Sequence, residues 1–270
     1  MSKRLPGTLF LQNLVERRSL LFQLVRRDFE QRFVGSAIGW IWGLIHPLVL
    51  LVSWTFVFQF LLHQPVPKGA GTTSYPLFLF AGMLPWLLFS ETTQRSASSL
   101  TEHANLITKT VFPSEIIPVS VFLSSVVSHL LALALMVVAA GVMLNQISIF
   151  LLVLPFYILV IGLFAVGVGW IVASLQVFLR DTAQLVTVIL TLWFWTTPIF
   201  VTDDSFRGWS RYLLLANPIG YAVRSYRAVL LTSSLPDLRD FAIITAYGVT
   251  AFVVGGLFFR QMKRGFADVL

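Results

Sequence analysis

The 64 residues from Ile116 to Leu179 contain no Asp, Glu, Lys or Arg. A soluble domain carries such residues at about one position in four. A membrane-spanning helix needs about 20 mostly apolar residues, so this run is too long for one span and long enough for two. Its only strongly polar pair, Asn145-Gln146, marks a tight turn between them. In lipid the backbone must satisfy its own hydrogen bonds, which for this pattern requires helices. The rest of the chain agrees, with 57% hydrophobic residues, 11% charged residues and a mean hydropathy of +0.82. Such a chain cannot cover itself with polar surface, so part of its solvent is lipid.

The same reading predicts an all-α integral membrane protein, a single transmembrane domain over 1–270 with six spans at 37–62, 77–98, 117–143, 149–177, 182–201 and 241–259. Six spans put both termini on one side. Lys and Arg flanking the spans identify that side as cytoplasmic. Lys3, Arg4, Arg17, Arg18, Arg26, Arg27 and Arg32 precede the first span, and Arg260, Lys263 and Arg264 follow the last. Lys109 and Arg180 lie in the two loops of the same side, whereas the first loop of the other side has only Lys68. The long loop 202–240 carries five Arg outside; long loops weigh little in this rule. The net charge of +7 therefore orients the chain and does not indicate nucleic acid. No signal peptide is expected, because the first 32 residues contain seven Lys/Arg and no long apolar core.

Three segments are not spans. Within the N-terminal segment 1–36, residues 14–33 have the periodicity of an amphipathic helix, with Leu21, Phe22, Val25, Phe29 and Phe33 on one side and Gln23, Arg26, Arg27, Glu30 and Gln31 on the other. A basic amphipathic helix before a span lies in the interface, where Arg26, Arg27 and Arg32 serve as a topology anchor or receive an anionic lipid headgroup. Residues 105–118 mix apolar and charged residues and form a cytoplasmic loop. In 202–240, the short apolar pieces 212–216 and 219–223 are broken by Asn217-Pro218. Pro disfavours helix in the residue before it, so two short helices meet there, either dipping into the outer half of the bundle as a gate or lying on its surface. Arg224 and Arg227 then sit at the level of the outer phosphates.

Other chemistry is excluded by motif. The chain has no cysteine, no G-x-x-x-x-G-K-[ST] phosphate loop, no H-E-x-x-H and no G-x-S-x-G. His46, His63, His103 and His129 are scattered without ligand spacing, so no metal and no cofactor are expected on this chain. Glu91 is the one intramembrane acid; it suits proton coupling or, with Arg95 four residues on, one half of a helical ion pair. An intramembrane glycosyltransferase would need clustered acids and a metal site, which are missing. The 24 Phe, 8 Trp and 6 Tyr are more informative. Trp193-Phe194-Trp195 is the densest group, joined by Trp40, Trp42, Trp54, Trp86 and Trp170. Most aromatics in such a chain pack or anchor; some suit a path where sugar rings stack.

The pieces together resemble the membrane subunit of type-two ABC exporters, in particular the bacterial polysaccharide and O-antigen export permeases, over nearly the whole chain. Arg26-Arg27-Asp28-Phe29 with Arg32, then Gly39, Trp42 and Pro47, is similar to that family's interface helix running into span one. Gly82-Met83-Leu84-Pro85-Trp86 is similar to its span-two G-x-x-P-W. Asn105-Leu106-Ile107-Thr108-Lys109 to Phe112-Pro113, then Glu115-Ile116-Ile117-Pro118, resembles its coupling loop, Leu179-Arg180-Asp181 the loop after span four, and Pro198-Ile199 with Asn217-Pro218 the outer re-entrant region. The resemblance implies that residues 105–113 form a coupling helix docking on an ATPase subunit. It also implies that Trp42, Trp86, Trp193, Trp195, Asn217, Pro218 and Tyr221 belong to the channel or its gate. It implies two copies of this chain with two ATPase subunits, which carry the ATP and Mg, and a lipid-linked polysaccharide leaving the bacterial inner membrane outward. O-antigen is the first expectation; capsule, teichoic acid, drugs or small lipids are the alternatives.

Overall fold

The computed structural model describes residues 18–31, 39–67, 69–109 and 112–270. Among them every regular element is helical. The chain runs through α1 (Arg18–Gln31), α2 (Trp42–Thr55, continued by a π-helical turn Phe56–Leu61), α3 (Tyr75–Glu102), α4 (Ala104–Lys109) and α5 (Ile116–Leu144). It continues through α6 (Leu154–Phe178), α7 (Thr182–Thr196), α8 (Ser210–Ala216), α9 (Pro218–Leu230), α10 (Leu238–Met262) and α11 (Phe266–Val269).

Asn145 ends α5 in the left-handed region, at φ 52°, a conformation Asn tolerates better than most residues. Three residues on, the Ser148 hydroxyl accepts from the Phe150 amide and starts the helical turn Ile149–Val153 that leads into α6. Two helices thus fill the uncharged run.

Four helices are long and apolar enough to cross a membrane: Trp42–Leu61, Ile116–Leu144, Ile149–Phe178 and Leu238–Gly265. The second and fifth expected spans are not among them. α7 stops at Thr196 rather than 201, since Pro198 disfavours helix at Thr197, and 15 residues reach only about 22 Å. α3 carries Glu91, Arg95 and Glu102 in its last turns. It is also the centre of the bundle, packed against α5, α6, α7 and α9. A helix wrapped by protein needs no continuous apolar face toward lipid, so hydropathy alone understates it. Around it the apolar exteriors of α2, α5, α7 and α10 remain exposed, for example Val142, Leu192 and Val253.

α6 and α10 pack together most extensively. Gly167 and Gly255 face each other, and a Cβ on Gly255 would come within 2.1 Å of the Gly167 carbonyl oxygen. Small residues let backbones approach in this way where lipid supplies no hydrophobic drive between helices.

Of the expected amphipathic helix 14–33, Arg18–Gln31 is helical; residues 14–17, 32 and 33, and with them Arg32 and Phe33, lie outside the described residues. α1 rests on α5, with Leu24 buried and Phe22 pointing away, 69% exposed. The inner face is thus rotated from the one the sequence suggests: Phe22 leaves it, and Asp28 joins it.

Candidate functional site

The chain offers two places where function can sit: the end where α3 meets α4, and the opposite end, where α7 meets α8 and α9.

At the second place the chain leaves α7 at Thr196 and returns through two short helices meeting at Asn217. The Asn217 side chain is 3% exposed and fully engaged. Its Oδ1 accepts from the Ile219 amide at 3.1 Å, the Gly220 amide at 3.3 Å and the Trp193 indole at 3.0 Å. Its Nδ2 donates to Thr197 Oγ1 at 2.9 Å and the Thr196 carbonyl at 3.4 Å. One residue therefore caps α9 and fastens it to the end of α7. Pro218 sits at the first helical position, where its missing N–H costs nothing. α9 is longer than the apolar piece 219–223 and packs against α3, α6 and α10, with one side entirely buried. α8 stays at the surface, with Tyr212 75% exposed. Tyr221 bridges the pair, donating from its hydroxyl to the Leu215 carbonyl at 2.9 Å.

Arg224 and Arg227 are both engaged within the protein. Arg224 lies over the Tyr221 ring, binds Asp240 through Nε at 2.6 Å and Nη2 at 3.0 Å, and binds Asp203 through Nη1. Burial works against its charge, but Asp240 and Asp203 outweigh it and raise the guanidinium pKa, so it is cationic at every relevant pH. Arg227 turns inward. It donates to the carbonyls of Pro198 at 2.8 Å and Ile199 at 2.6 Å, and its guanidinium lies 3.7 Å from the Phe78 ring centre. These carbonyls follow the end of a helix and have no intrahelical partner. Gly82 makes room for it: a Cβ there would meet Arg227 Nη2 at 2.7 Å. The glycine of Gly82-x-x-Pro85-Trp86 thus admits an arginine from 145 positions further along the chain.

A cleft of about 860 Å3 opens beside α9, walled by the 203–211 segment and the start of α10, with Arg207, Arg211 and Arg239 set among Asp204 and Asp237.

The tryptophans divide into two groups. Trp86 is 5% exposed and packs against Trp193 and Phe194, and Trp193 also meets Phe89 at 5.1 Å and Phe164 at 6.2 Å, edge on. Trp86 is buried in the bundle and Trp193 is half-buried against it. Trp42 and Trp195 keep free faces, at 47% and 52% exposure. Trp195 stacks on Phe200 at 5.4 Å, which fixes its ring while leaving one side open.

At the other end, α3 gives way at His103 to the six-residue α4. Asn105 and Thr108 are exposed; Thr108 Oγ1 donates back to the Ala104 carbonyl at 2.9 Å. Ile107 and Phe112 point inward, onto the cluster of Leu100, Ile117, Val166, Trp170, Val177, Phe259 and Phe266. The apolar side of this segment is thus occupied by the chain itself. Leu106 is half-buried and Pro113 buried. The Lys109 side chain lies outside the described residues. Behind α4, Glu115 binds Lys263 at 2.6 Å, and the Trp170 indole donates to the Glu115 carbonyl at 3.0 Å, so α5, α6 and α10 are joined where the loop re-enters the bundle.

On α1, Arg26 and Arg27 are exposed. Arg26 is bound to Glu30 at 2.7 Å, which raises its pKa. The Glu91–Arg95 pair expected from spacing is long, 3.8 Å. The tight partner of Arg95 is Asp28 of α1, at 2.6 Å. A small cavity of about 190 Å3 lies next to Glu91, lined by Trp42, His46, Leu87 and His129. Sequence spacing could not find the Asp28–Arg95 and Glu115–Lys263 pairs, because their partners are 67 and 148 positions apart.

A lipid-facing bundle of long apolar helices around one polar-ended central helix is a multi-pass membrane domain. The chain belongs to the ABC-2 type transporter family, whose profile matches residues 19–231. An O-antigen export system permease protein RfbA from Myxococcus xanthus is 29% identical over 264 residues, 96% of this chain and 98% of the relative. One of the same description from Klebsiella pneumoniae is 27% identical over 253 residues, 93% and 95% of the two chains. A polysialic acid transport protein KpsM from Escherichia coli is 26% identical over 83 residues, 31% of each.

Proposed function

We propose that this chain is the permease subunit of an ABC exporter that moves a lipid-linked polysaccharide, O-antigen, from the cytoplasmic side outward across the bacterial inner membrane. Two copies pair with two copies of an ATPase subunit, which holds the ATP and Mg. The chain crosses the membrane six times, α3 and α7 completing the four longer helices, with both termini cytoplasmic. The observation that carries this reading is the end-to-end likeness to O-antigen export permeases, 96% of one chain against 98% of the other. The absence of a phosphate loop from the sequence supports a separate ATPase.

In this assembly α4 docks on the ATPase through Asn105 and Thr108, while Ile107 and Phe112 fix it to the permease. α8 and α9 form the outer gate, held by Asn217, Pro218 and Tyr221. Trp42 and Trp195 offer flat faces to sugar rings, and Trp86 and Trp193 brace the wall behind them. Arg26 and Arg27 meet the anionic headgroup from α1.

The test is reconstitution with the ATPase subunit in proteoliposomes, followed by mass spectrometry of the bound lipid. The expected species is a polysaccharide on a pyrophosphate-linked polyprenyl lipid, exported on addition of ATP. ATPase activity that responds to drugs or small lipids and ignores lipid-linked glycans would overturn the reading. The shorter likeness to a polysialic acid transport protein supports a capsule-type glycan as the second reading; the mass of the repeat unit separates the two.

A further inference from the structure

We propose that Arg95 is a positioning residue which passes movement of α4 to the interface helix α1, with Asp28 as the receiver. This rests on the reading that α4 docks on an ATPase subunit.

The joint between α3 and α4 has no slack. The His103 amide donates to the Leu100 carbonyl at 3.2 Å, the Leu106 amide donates to the His103 carbonyl at 2.9 Å, and the His103 ring holds the Ser99 carbonyl at 2.8 Å. Displacement of α4 therefore moves the last turns of α3. Arg95 stands two turns before that joint. Its Nη2 donates to Asp28 Oδ1 at 2.6 Å, and both side chains are mostly covered, at 28% and 17% exposure.

A surface ion pair would be too weak to pull a helix. A covered one behaves differently, because separating the partners leaves charges without compensation in a poor solvent. The pair ties α1 to α3 in addition to the packing of α1 on α5. Glu91, one turn back, lies 3.8 Å from the same guanidinium.

The same turn reaches a second helix. Gln94 Nε2 donates to Thr187 Oγ1 of α7 at 3.3 Å. The far end of α7 carries Trp193 and Thr197, both bonded to Asn217. Adjacent residues of α3 thus hold the helix where a headgroup would arrive and the helix that ends at the outer pair. Arg95 provides the stronger of the two links.

Hydrogen–deuterium exchange on the nanodisc complex with its ATPase tests the proposal, with and without trapping by ATP and vanadate. In the native complex, trapping changes exchange in α1, and ATPase binding protects α4. In Arg95→Gln the α1 response is lost, export is mostly lost and α4 stays protected. The charge swap Asp28→Arg with Arg95→Asp restores both, which packing alone would not do. If the Gln variant fails to assemble, Asp28→Asn removes the charge from the receiver and carries the same expectation. A neutralised variant with native α1 response and native export overturns the proposal, as does a swap that restores neither. A native complex without α4 protection overturns the docking reading itself, and this inference with it.

Discussion

Asn217 shows how much one side chain can hold in a place where the backbone breaks. A buried amide is costly unless its hydrogen-bonding groups are met, and here both ends of the amide are met, by the end of α7 and the start of α9. Asn217→Ala removes the cap of α9 and strands the Trp193 indole and the Ile219 amide, while the Thr197 hydroxyl keeps the Trp193 carbonyl and the Gly220 amide keeps the backbone carbonyl of residue 217. Loss of a cap costs about 1 kcal/mol, and each stranded polar group adds about 1–3 kcal/mol. The variant should melt clearly below the native permease in detergent. Asn217→Asp keeps the acceptors and loses the Nδ2 donors, so it should fall between the two. Equal melting of all three would show that α9 is held by packing alone. The arginines close by follow the same logic: Arg224 is neutralised by Asp203 and Asp240, and Arg227 serves backbone carbonyls. Two of the five arginines that weaken the charge asymmetry of the chain are therefore used up within the protein.

Among the elements, α4 is the one whose two faces separate most clearly. Asn105 and Thr108 look outward, whereas Ile107 and Phe112 complete an apolar cluster with Phe259 and Phe266. Substitutions three positions or fewer apart should therefore fail in different ways. Asn105→Glu should leave the melting temperature of the isolated permease unchanged and reduce the amount of ATPase subunit that co-purifies with it. Ile107→Asp places a charge against the apolar cluster that contains Trp170 and Phe266; it should lower the yield of folded permease before any partner is added. Loss of ATPase binding in Ile107→Asp with native stability would mean that Ile107 turns outward in the complex. The Glu115–Lys263 pair behind α4 gives a second check. Lys263→Glu sets two carboxylates together and should loosen the joint of α5 with α10, and a compensating Glu115→Lys should restore it.

For the whole molecule, the chain has no cysteine, so a single introduced thiol reports its own side and depth. Under the proposed topology, cysteines at Gln146 and Trp209 should react with an impermeant thiol reagent from outside. Cysteines at Thr101 and Arg264 should react only once the cytoplasmic side is opened. All four positions are exposed, so reactivity depends on side and not on burial. Along the outer pair, thiols at Arg207 and Tyr212 should react readily, and thiols at Gly220 and Ala222 should be protected, because α9 lies inside the bundle and α8 does not. Uniform reactivity from 207 to 222 would sink the gate assignment and leave an ordinary surface loop.

The sequence by itself determined the solvent and the kind of element. The uncharged run of 64 residues leaves helices in lipid as the only consistent fold, and the order of short motifs identifies the family. It also marked the break at Asn217-Pro218, since proline restricts the residue before it wherever it occurs. The tertiary structure decided which way the mixed segments face. Leu24, Asp28, Ile107 and Arg227 are ordinary members of amphipathic patterns, and periodicity gives a helix two faces without saying which one meets protein. The deciding partners, Arg95 for Asp28, Phe266 for Ile107 and Gly82 for Arg227, lie on other helices and far off in the chain. Helix α3 is the clearest case. The sequence marks it as the second span; the structure shows it packed against α5, α6, α7 and α9, with Arg95 and Gln94 reaching the helices around it.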